Sequence, residues 1–433
     1  MPSDALGPSA SQSEPVNTSA FRSLRNRNYR LWALGGFVSN VGTWMQRTAQ
    51  DWLVLTQLTH HNASAVGTVM ALQFGPQVLL LPLTGYAADH WDRRKSLVAT
   101  QALLGLLALG LGLLTVSGVV QIWHVYVFAL LVGCVAAFDM PARQTFVSDL
   151  VGERDLANAV ALNATSFHAA RMVGPAVAGA VIAALGTGWA FLVNGASYVG
   201  VLCALSLLRS SELHVQPRGA RSKNGLADGF RYVAGRPDLV AILCMVGLIG
   251  TFGFNFAIFI STMSVRVFHA GVGGFGLMTS CMAVGSVLGA LLSARRARPR
   301  IALLMLGAGC FGLGCSLAAH APSYLSFGVA LALIGLFAQT FTTSANSLIQ
   351  LSTEPSMRGR VLAILLAITL GGTPLGAPLV GYVADVFGPR WALDVAGLAA
   401  YLATLIGIGY LVRHRNMRLR FKAGRLRLGF DDE

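Results

Sequence analysis

Hydrophobic residues along the chain are grouped into twelve long apolar segments that alternate with polar stretches. An α-helix needs about 20 apolar residues to cross a bilayer, and these segments are of that length. They cover residues 30–56, 65–88, 97–117, 122–142, 157–185, 189–208, 239–262, 272–293, 301–319, 324–347, 360–386 and 391–412. The pattern therefore predicts an all-α membrane protein with twelve transmembrane helices.

A polar stretch, residues 209–238, lies between the sixth and the seventh segments. It divides the chain into a first six-helix bundle over residues 29–208 and a second over residues 239–412. Inside this linker, residues 226–234 have the spacing of a short amphipathic helix that lies on a membrane surface. We expect the two bundles to be separate units joined by the linker.

The composition supports the membrane assignment, since 54% of the 433 residues are hydrophobic and only 12% are charged. Soluble domains carry about 25% charged residues, so an ordinary water-soluble enzyme is excluded. No histidine-rich metal cluster, nucleophile elbow or phosphate-binding loop stands in the sequence. We therefore expect a protein that is not an enzyme and that uses no cofactor and no metal.

The formal net charge of +14 is unusual for so apolar a chain, and its placement explains it. With twelve crossings, the loops on the side opposite the N-terminus contain only two arginines or lysines, Arg266 and Arg390. The positive-inside rule then places both termini in the cytoplasm. We expect residues 1–28 to form a disordered tail and the basic tail 413–433 to contact anionic lipids. No nucleic-acid partner is expected.

A weak internal repeat follows the ends of the second, fifth, eighth and eleventh segments. Its four windows begin at Gly85, Gly179, Gly289 and Gly381, and the first and fourth share the pattern Gly-Tyr-x-Ala-Asp. Such windows on alternating sides are typical of three-helix units in inverted orientation. The aspartate of the fourth window, Asp385, is expected to stabilise the last loop.

The loop after the second segment reads Gly85-Tyr-Ala-Ala-Asp89-His-Trp-Asp-Arg93-Arg94. It resembles the major facilitator superfamily, whose motif in this loop is Gly-x-x-x-Asp followed by paired basic residues. A histidine and an aspartate stand where the family usually has a basic residue and a glycine. The resemblance implies a monomeric transporter of small molecules that works by alternating access of its two bundles.

The resemblance also implies that this loop is a gating latch. Gly85 permits close helix packing, and Asp89 faces the positive N-terminus of the eleventh helix. Arg93 pairs with an acid at the end of the fourth helix, where Asp139 lies. In the alternative interpretation, Arg93 and Arg94 only determine the topology.

The fifth segment contains Gly174-Pro175-Ala-Val-Ala-Gly179, which resembles the Gly-Pro-x-x-x-Gly element of proton-coupled exporters. This resemblance implies export rather than uptake, although a kinked packing helix would have the same residues. The fourth segment has Ala129 where many drug exporters carry an arginine. That difference speaks against the best-known arrangement for proton coupling.

Two further stretches, Asp139-Met-Pro-Ala-Arg143-Gln and Asn194-Gly-Ala-Ser-Tyr198, resemble the bacterial branch of enterobactin exporters and macrolide efflux proteins. This branch implies a bacterial inner-membrane exporter of a siderophore, a drug or an amphipathic metabolite. Proton antiport is the expected mechanism. The alternative is a proton-coupled uptake symporter of a nutrient, with the same fold.

Four ionisable residues fall inside predicted membrane segments, where such groups are costly and usually functional. Arg47 and Asp51 are spaced i, i+4 and can pair, while His168 and Arg171 share one face of the fifth helix. Asp51 is the candidate proton carrier. The alternatives are a structural ion pair for Asp51 and a hydrogen-bonded helix residue for His168.

A candidate substrate cavity is indicated by aromatic and polar residues of the seventh and tenth segments. Phe252, Asn255 and Phe256 belong to the seventh segment, and Gln339 belongs to the tenth. An aromatic wall with few polar groups suits a large amphipathic ligand. Lipid-facing phenylalanines are the alternative.

Overall fold

A computed structural model describes residues 21–214, 226–294, 301–414, 418–422 and 425–429. Most of the predicted N-terminal tail, part of the linker and part of the basic tail lie outside these ranges. The last described residues form two antiparallel strands, Arg418–Lys422 and Arg425–Gly429, in which Leu419 lies opposite Leu428. All other long elements are helices.

We call α1 to α7 the N-terminal half. It contains the first six predicted segments. Its helices are α1 (Arg27–Trp52, continued by a π-helical turn, Leu53–Leu58), α2 (Ala63–Leu79), α3 (Leu81–His90), α4 (Arg93–Val116), α5 (Ile122–Leu150), α6 (Glu153–Leu185) and α7 (Thr187–Ser206). The second segment is broken at Leu80 because Pro82 has no N–H to continue the helix.

The linker contributes α8 (Leu226–Ala234), at the position where the sequence predicts a short helix. The C-terminal half, α9 to α15, follows it. Its helices are α9 (Pro237–Leu248), α10 (Phe256–Thr262), α11 (Val272–Ala294), α12 (Ile301–Ala319), α13 (Tyr324–Ser352), α14 (Arg358–Val386) and α15 (Pro389–His414). Two π-helical turns, Ile249–Gly253 and Met263–Val267, flank α10, so the seventh segment is a broken helix.

The helices run across the molecule between two sides. We call the side on which α1 begins and α15 ends the tail side, and the opposite side the far side. On the tail side, Ser23 hydrogen-bonds Asn158, and Asn28 hydrogen-bonds Arg209. The far side carries the short turns at Gly118, Gly186 and Gly388, where a positive φ favours glycine.

Contacts between the two halves are concentrated on the far side. There α2 packs on α14, and α6 packs on α11. One hydrophobic core in the described part of the chain includes residues of both halves, but the tail-side core of the N-terminal half, around Trp32 and Phe146, is separate from it. The halves are therefore joined at the far side and separated at the tail side.

Ten helices of the described chain are long and apolar enough to cross a membrane. The first two predicted segments are not among them. In the second segment the break at Leu80 leaves α2 with 17 residues, and the first segment contains the charged residues Arg47 and Asp51. The all-helical membrane fold is confirmed, while the count of twelve crossings stays a prediction.

The closest helix crossings depend on glycine, as at Gly285 in α11, whose missing Cβ leaves room for the Ala332 carbonyl oxygen. We predict that Gly285→Ala lowers the free energy of unfolding because the added methyl group collides with this backbone atom. The expected loss, relative to Gly36→Ala, is about 1–3 kcal/mol. Gly36 is a matched control since no described residue lies within 4 Å of its added Cβ. Equal unfolding transitions of the two variants in detergent, followed by circular dichroism, would contradict the prediction.

Candidate functional site

A cluster of charged side chains lies where α1 packs against α6 in the N-terminal half. Arg47 and Asp51 come from α1, and His168 and Arg171 come from α6. All four side chains are half-buried. The structure therefore brings together the ionisable residues that the sequence predicts as a group.

Trp44 joins the two arginines of this cluster. The guanidinium of Arg47 lies 4.9 Å from the centroid of the Trp44 ring and 5.6 Å from that of Phe74. The guanidinium of Arg171 lies 5.3 Å from the same Trp44 ring. An aromatic face attracts a guanidinium group and leaves its N–H groups free for an anion. The two positive charges thus both lie close to one aromatic ring.

The position of Trp44 depends on Gly174 in α6. A Cβ on Gly174 would lie 2.5 Å from the Cβ of Trp44 and 3.1 Å from the backbone nitrogen of Met45. Only glycine allows α6 to approach α1 this closely, so any larger residue would displace Trp44. The glycine of the Gly-Pro element thereby sets the place of the ring on which both arginines lie.

Asp51 does not neutralise the arginines through a direct ion pair. No such pair joins it to Arg47 in the described part of the chain, and Arg47 Nε is buried there without a hydrogen-bond partner. The expected i, i+4 pair on α1 is therefore wrong as a direct contact. With two arginines and one aspartate, the cluster has an excess of positive charge and a guanidinium with unused hydrogen-bonding capacity.

The Gly-Pro element also contributes to the contact between the halves. A Cβ on Gly276 of α11 would lie 2.5 Å from the Pro175 carbonyl oxygen, and one on Gly179 would lie 3.3 Å from Gly273. Next to this crossing, Trp52 of α1 stacks on Phe275 with a centroid distance of 6.0 Å. The element thus packs α6 closely against the other half on the far side.

The cavity candidates all lie in the C-terminal half, and each has contacts of its own there. Phe256 lies against Phe311, at a centroid distance of 6.3 Å, inside the C-terminal half. Phe252 is half-buried and packs against the shared core. Asn255 is buried between α9 and α10; its amide donates to the Thr251 carbonyl at 2.7 Å, and its Oδ1 has no partner among the described residues.

Gln339 of α13 is half-buried and donates to the Thr343 hydroxyl at 3.2 Å. Its Cβ would lie 3.1 Å from a Cβ placed on Gly289, so the residue sits at the crossing of α11 and α13. Of the four candidates, Asn255 and Gln339 carry the polar groups, and Phe256 packs against another ring of its own half.

The predicted latch lies on the tail side, around α3 and the start of α4. Gly85 and Asp89 belong to α3, and the side chain of Asp89 lies outside the described residues. Arg94 donates to the Leu205 carbonyl at 2.6 Å and to the Ser210 hydroxyl at 2.7 Å. Arg94 therefore ties α4 to the end of α7 within the same half.

Arg93 pairs with Asp149 at 2.7 Å, so the prediction that it pairs with Asp139 is wrong. Asp139 instead accepts hydrogen bonds of 2.7 Å from both Thr100 and Gln101. The reason is the length of α5, which continues to Leu150 and carries Asp149 to its tail-side end. The apolar segment ends earlier, at residue 142, so hydrophobicity alone places the end of this helix too soon.

Sequence reasoning missed Trp44, Asp149 and a far-side role of Asp385. Trp44 precedes Arg47 by three positions, a spacing that places both on one face of a helix. Asp149 has no comparable signal, because its partner is set by how far α5 extends. Asp385 stands in the repeated Gly-Tyr-x-Ala-Asp pattern, which is a signal that could have found it.

Comparison with known proteins connects this arrangement to a family. The family model of transmembrane secretion effectors, a group of the major facilitator superfamily, matches residues 18–423. The staphyloferrin A transporter of Staphylococcus aureus is 26% identical over 392 residues, which cover 89% of this chain and 96% of the relative. The enterobactin exporter EntS of Escherichia coli K12 is 24% identical over 401 residues, covering 90% and 93%.

Solved structures show the same fold. A bacterial homologue of the iron transporter ferroportin, in an inward-facing state, aligns with a TM-score of 0.71 and 16% identity over 89% of this chain and 99% of its own. A D-xylose–proton symporter aligns with a TM-score of 0.70 and 15% identity over 90% and 98%. At these identities the likeness concerns the fold alone.

The Arg93–Asp149 ion pair is testable by a double-mutant cycle on thermal unfolding in detergent. We predict that Arg93→Gln and Asp149→Asn are coupled by about 1 kcal/mol, because each removes the same contact. Arg93→Gln and Asp139→Asn are expected to be additive within about 0.5 kcal/mol. Stronger coupling with Asp139 than with Asp149 would contradict the pairing.

Proposed function

Because this chain belongs to the transmembrane secretion effector family of the major facilitator superfamily, we propose that it exports a small anionic organic molecule of the siderophore type. The chain is a multi-pass membrane transporter and not an enzyme. Its relatives are named for staphyloferrin A and enterobactin. Export, the anionic substrate and the proton as coupling ion are the parts that we propose.

The observation that carries this proposal is the pair of arginines on Trp44. Arg47 and Arg171 lie 4.9 Å and 5.3 Å from one ring, and a single aspartate, Asp51, is in their cluster. Guanidinium groups bind carboxylates and other oxyanions through paired hydrogen bonds. A molecule that chelates ferric iron through ionisable oxygens offers such groups, whereas a cationic drug would be repelled.

The arrangement of the two halves supports entry of the substrate from the tail side. The halves are separated there and joined on the far side, as alternating access requires of a state that is open to one side. The positive-inside charge pattern supports a cytoplasmic tail side. In this orientation the substrate enters from the cytoplasm, and the site faces outward once the far-side contacts open.

Asp51 is the proposed proton carrier. A carboxyl group inside a membrane helix can take up and release a proton as its access to water alternates between the two sides. Arg47, one turn away on α1, holds its charge near Asp51. Bound anionic substrate would compete with Asp51 for the arginines, which couples substrate release to the protonation state of Asp51. His168, three residues before Arg171 on α6, is a second candidate for carrying the proton.

Uptake by proton symport is the second candidate function, since a D-xylose–proton symporter has the same fold. The Gly-Pro element speaks for export, because Gly174 and Pro175 pack α6 closely on both neighbouring helices and so limit leakage. Transport direction distinguishes the two functions.

We predict that inverted membrane vesicles with an acidic interior accumulate the substrate, with enterobactin and staphyloferrin A as the first probes and ethidium as a cationic comparison. Arg171→Gln should raise the KM for an anionic probe about tenfold, because one charge-assisted contact is lost. Arg171→Lys keeps the charge but loses stacking on Trp44, so its KM should lie between those of the wild type and of Arg171→Gln. Arg390→Gln, at the far-side start of α15, is the matched control with unchanged transport. Accumulation only in right-side-out vesicles would support the symporter instead.

We predict that Asp51→Asn abolishes the dependence of transport on an imposed pH gradient, because the amide cannot carry a proton. Substrate binding, measured by tryptophan fluorescence, should persist since both arginines are retained. Asp51→Glu is the control and should keep a pH-driven component. A wild-type pH response of Asp51→Asn would remove this residue as the carrier.

A further inference from the structure

Asp385, at the far-side end of α14, links the two halves of the molecule. Its Oδ1 accepts a hydrogen bond from the Ala63 N–H at 2.8 Å. Its Oδ2 accepts one from the Ser64 N–H at 2.8 Å and one from the Ser64 hydroxyl at 2.6 Å. Ala63 is the first residue of α2, so this carboxylate lies at the positive N-terminus of a helix from the other half.

The helices beneath this contact approach each other closely. A Cβ on Gly381 would lie 2.7 Å from the Ala63 carbonyl oxygen, and one on Gly67 would collide with the Ala377 carbonyl oxygen. Ala63 and Gly67 are four residues apart on α2, and Ala377, Gly381 and Asp385 follow the same spacing on α14. Small residues at this spacing let antiparallel helices pack with their backbones in contact. The carboxylate thus closes one end of an extended small-residue crossing.

Arg266 makes this contact reversible. It lies in the π-helical turn before α11, in the same half as Asp385, and donates to Asp385 Oδ1 and to the Ala384 carbonyl, both at 3.1 Å. When the halves separate, Asp385 keeps Arg266 as a partner, so no unpaired charge is left. On the other helix, the Asn62 side chain still caps α2 by accepting from the Ala65 N–H. Opening therefore breaks only the hydrogen bonds that cross between the halves.

A polar pocket adjoins the contact. A cavity of about 600 Å³ is lined by polar residues of both halves, among them His61, Asn62, Arg266 and Asp385. Water in this space can replace the hydrogen bonds of the Ala63 and Ser64 N–H groups once they leave the carboxylate. The contact therefore binds the N-terminus of α2 and is also accessible to the water that replaces the carboxylate when the halves separate.

The tail-side end of the same helix pair repeats the pattern in reverse. Near its end, α3 contains Gly85-Tyr-Ala-Ala-Asp89, and α14 contains Gly381-Tyr-Val-Ala-Asp385 near its own. On the tail side, no described residue lies within 4 Å of a Cβ placed on Gly359 near the start of α14, and the tail-side core of the N-terminal half is separate from the core that the two halves share. The engaged far-side carboxylate and the separated tail-side end therefore belong to one state.

We propose that Asp385 is a far-side latch, which holds the far side closed by binding the N-terminus of α2 and which is the inverted counterpart of the tail-side Gly85–Asp89 element. Each helix of the pair carries an aspartate at its C-terminal end for the N-terminus of the other. Engagement at one end separates the opposite end, so the two latches favour opposite states of the transporter. This role holds for any substrate and either transport direction.

The test measures the far-side distance between the halves in the full chain, with its six native cysteines replaced by alanine and spin labels at Ser117→Cys and Pro322→Cys, two exposed far-side positions. Asp385→Asn should shift the population toward the longer, far-side-open distance by about fivefold, because a neutral amide loses the charge interaction with the helix terminus. Asp394→Asn is the matched control. It removes the same charge on the far side, but the only partner described for Asp394, His320, lies in the same half.

An unchanged distance distribution in Asp385→Asn, or an equal shift in Asp394→Asn, would overturn the latch. Asp89→Asn should keep the far side closed, and a far-side opening as large as that of Asp385→Asn would contradict the inverted relation. If Asp385→Asn fails to fold, Ser64→Ala removes the shortest of the bonds and should give a smaller shift in the same direction. The absence of any shift in Ser64→Ala, in a folded protein, would then overturn the proposal.

Discussion

Close backbone contact between α2 and α14, and between α6 and α11, is the interaction on which the rest of the structure depends. Inside a bilayer, lipid tails are as apolar as leucine, so helices associate through packing and hydrogen bonds. At these crossings glycine and alanine supply the packing, as Gly276 does beside the Pro175 carbonyl. Because both crossings lie on the far side, the tail side is where the halves separate.

The same crossings position the charged cluster. α6 is held between α1 and α11, with Gly174 against Trp44 on one face and Gly179 against Gly273 on the other. The Trp44 ring is fixed by this packing, and both guanidinium groups lie against it. A movement of the halves that opened the α6–α11 crossing would therefore act directly on the helix that carries Arg171. The proposed binding site and the far-side contact therefore share one helix, which is a physical basis for coupling them.

Hydrogen bonds at helix ends are the second kind of contact that connects the halves. Asp385 binds the start of α2, and Arg266 holds it from its own half. By contrast, the Arg93–Asp149 ion pair and the hydrogen bond from Arg94 to Leu205 connect helices within the N-terminal half, at its tail-side end. Contacts of this kind hold one half together without joining it to the other on the tail side, as alternating access requires of a half that moves as one body.

The described helices account for ten of the twelve predicted crossings, and the intramembrane charges predicted as a group do lie together. These features follow from the chain itself, since hydrophobic length and the cost of charge in lipid act on each segment separately. Arg47 and Asp51 stand out in the sequence for this reason, as does the Gly-Tyr-x-Ala-Asp repeat.

Which residues contact each other depends on how the helices pack in the tertiary structure. Asp149 rather than Asp139 binds Arg93 because α5 continues beyond its apolar segment. Trp44 holds two arginines because Gly174 lets α6 approach α1, and Asp385 reaches Ala63 because α14 crosses α2 at small residues. Each of these contacts joins residues far apart in the chain, and no local pattern of hydrophobicity or charge determines which helix faces which.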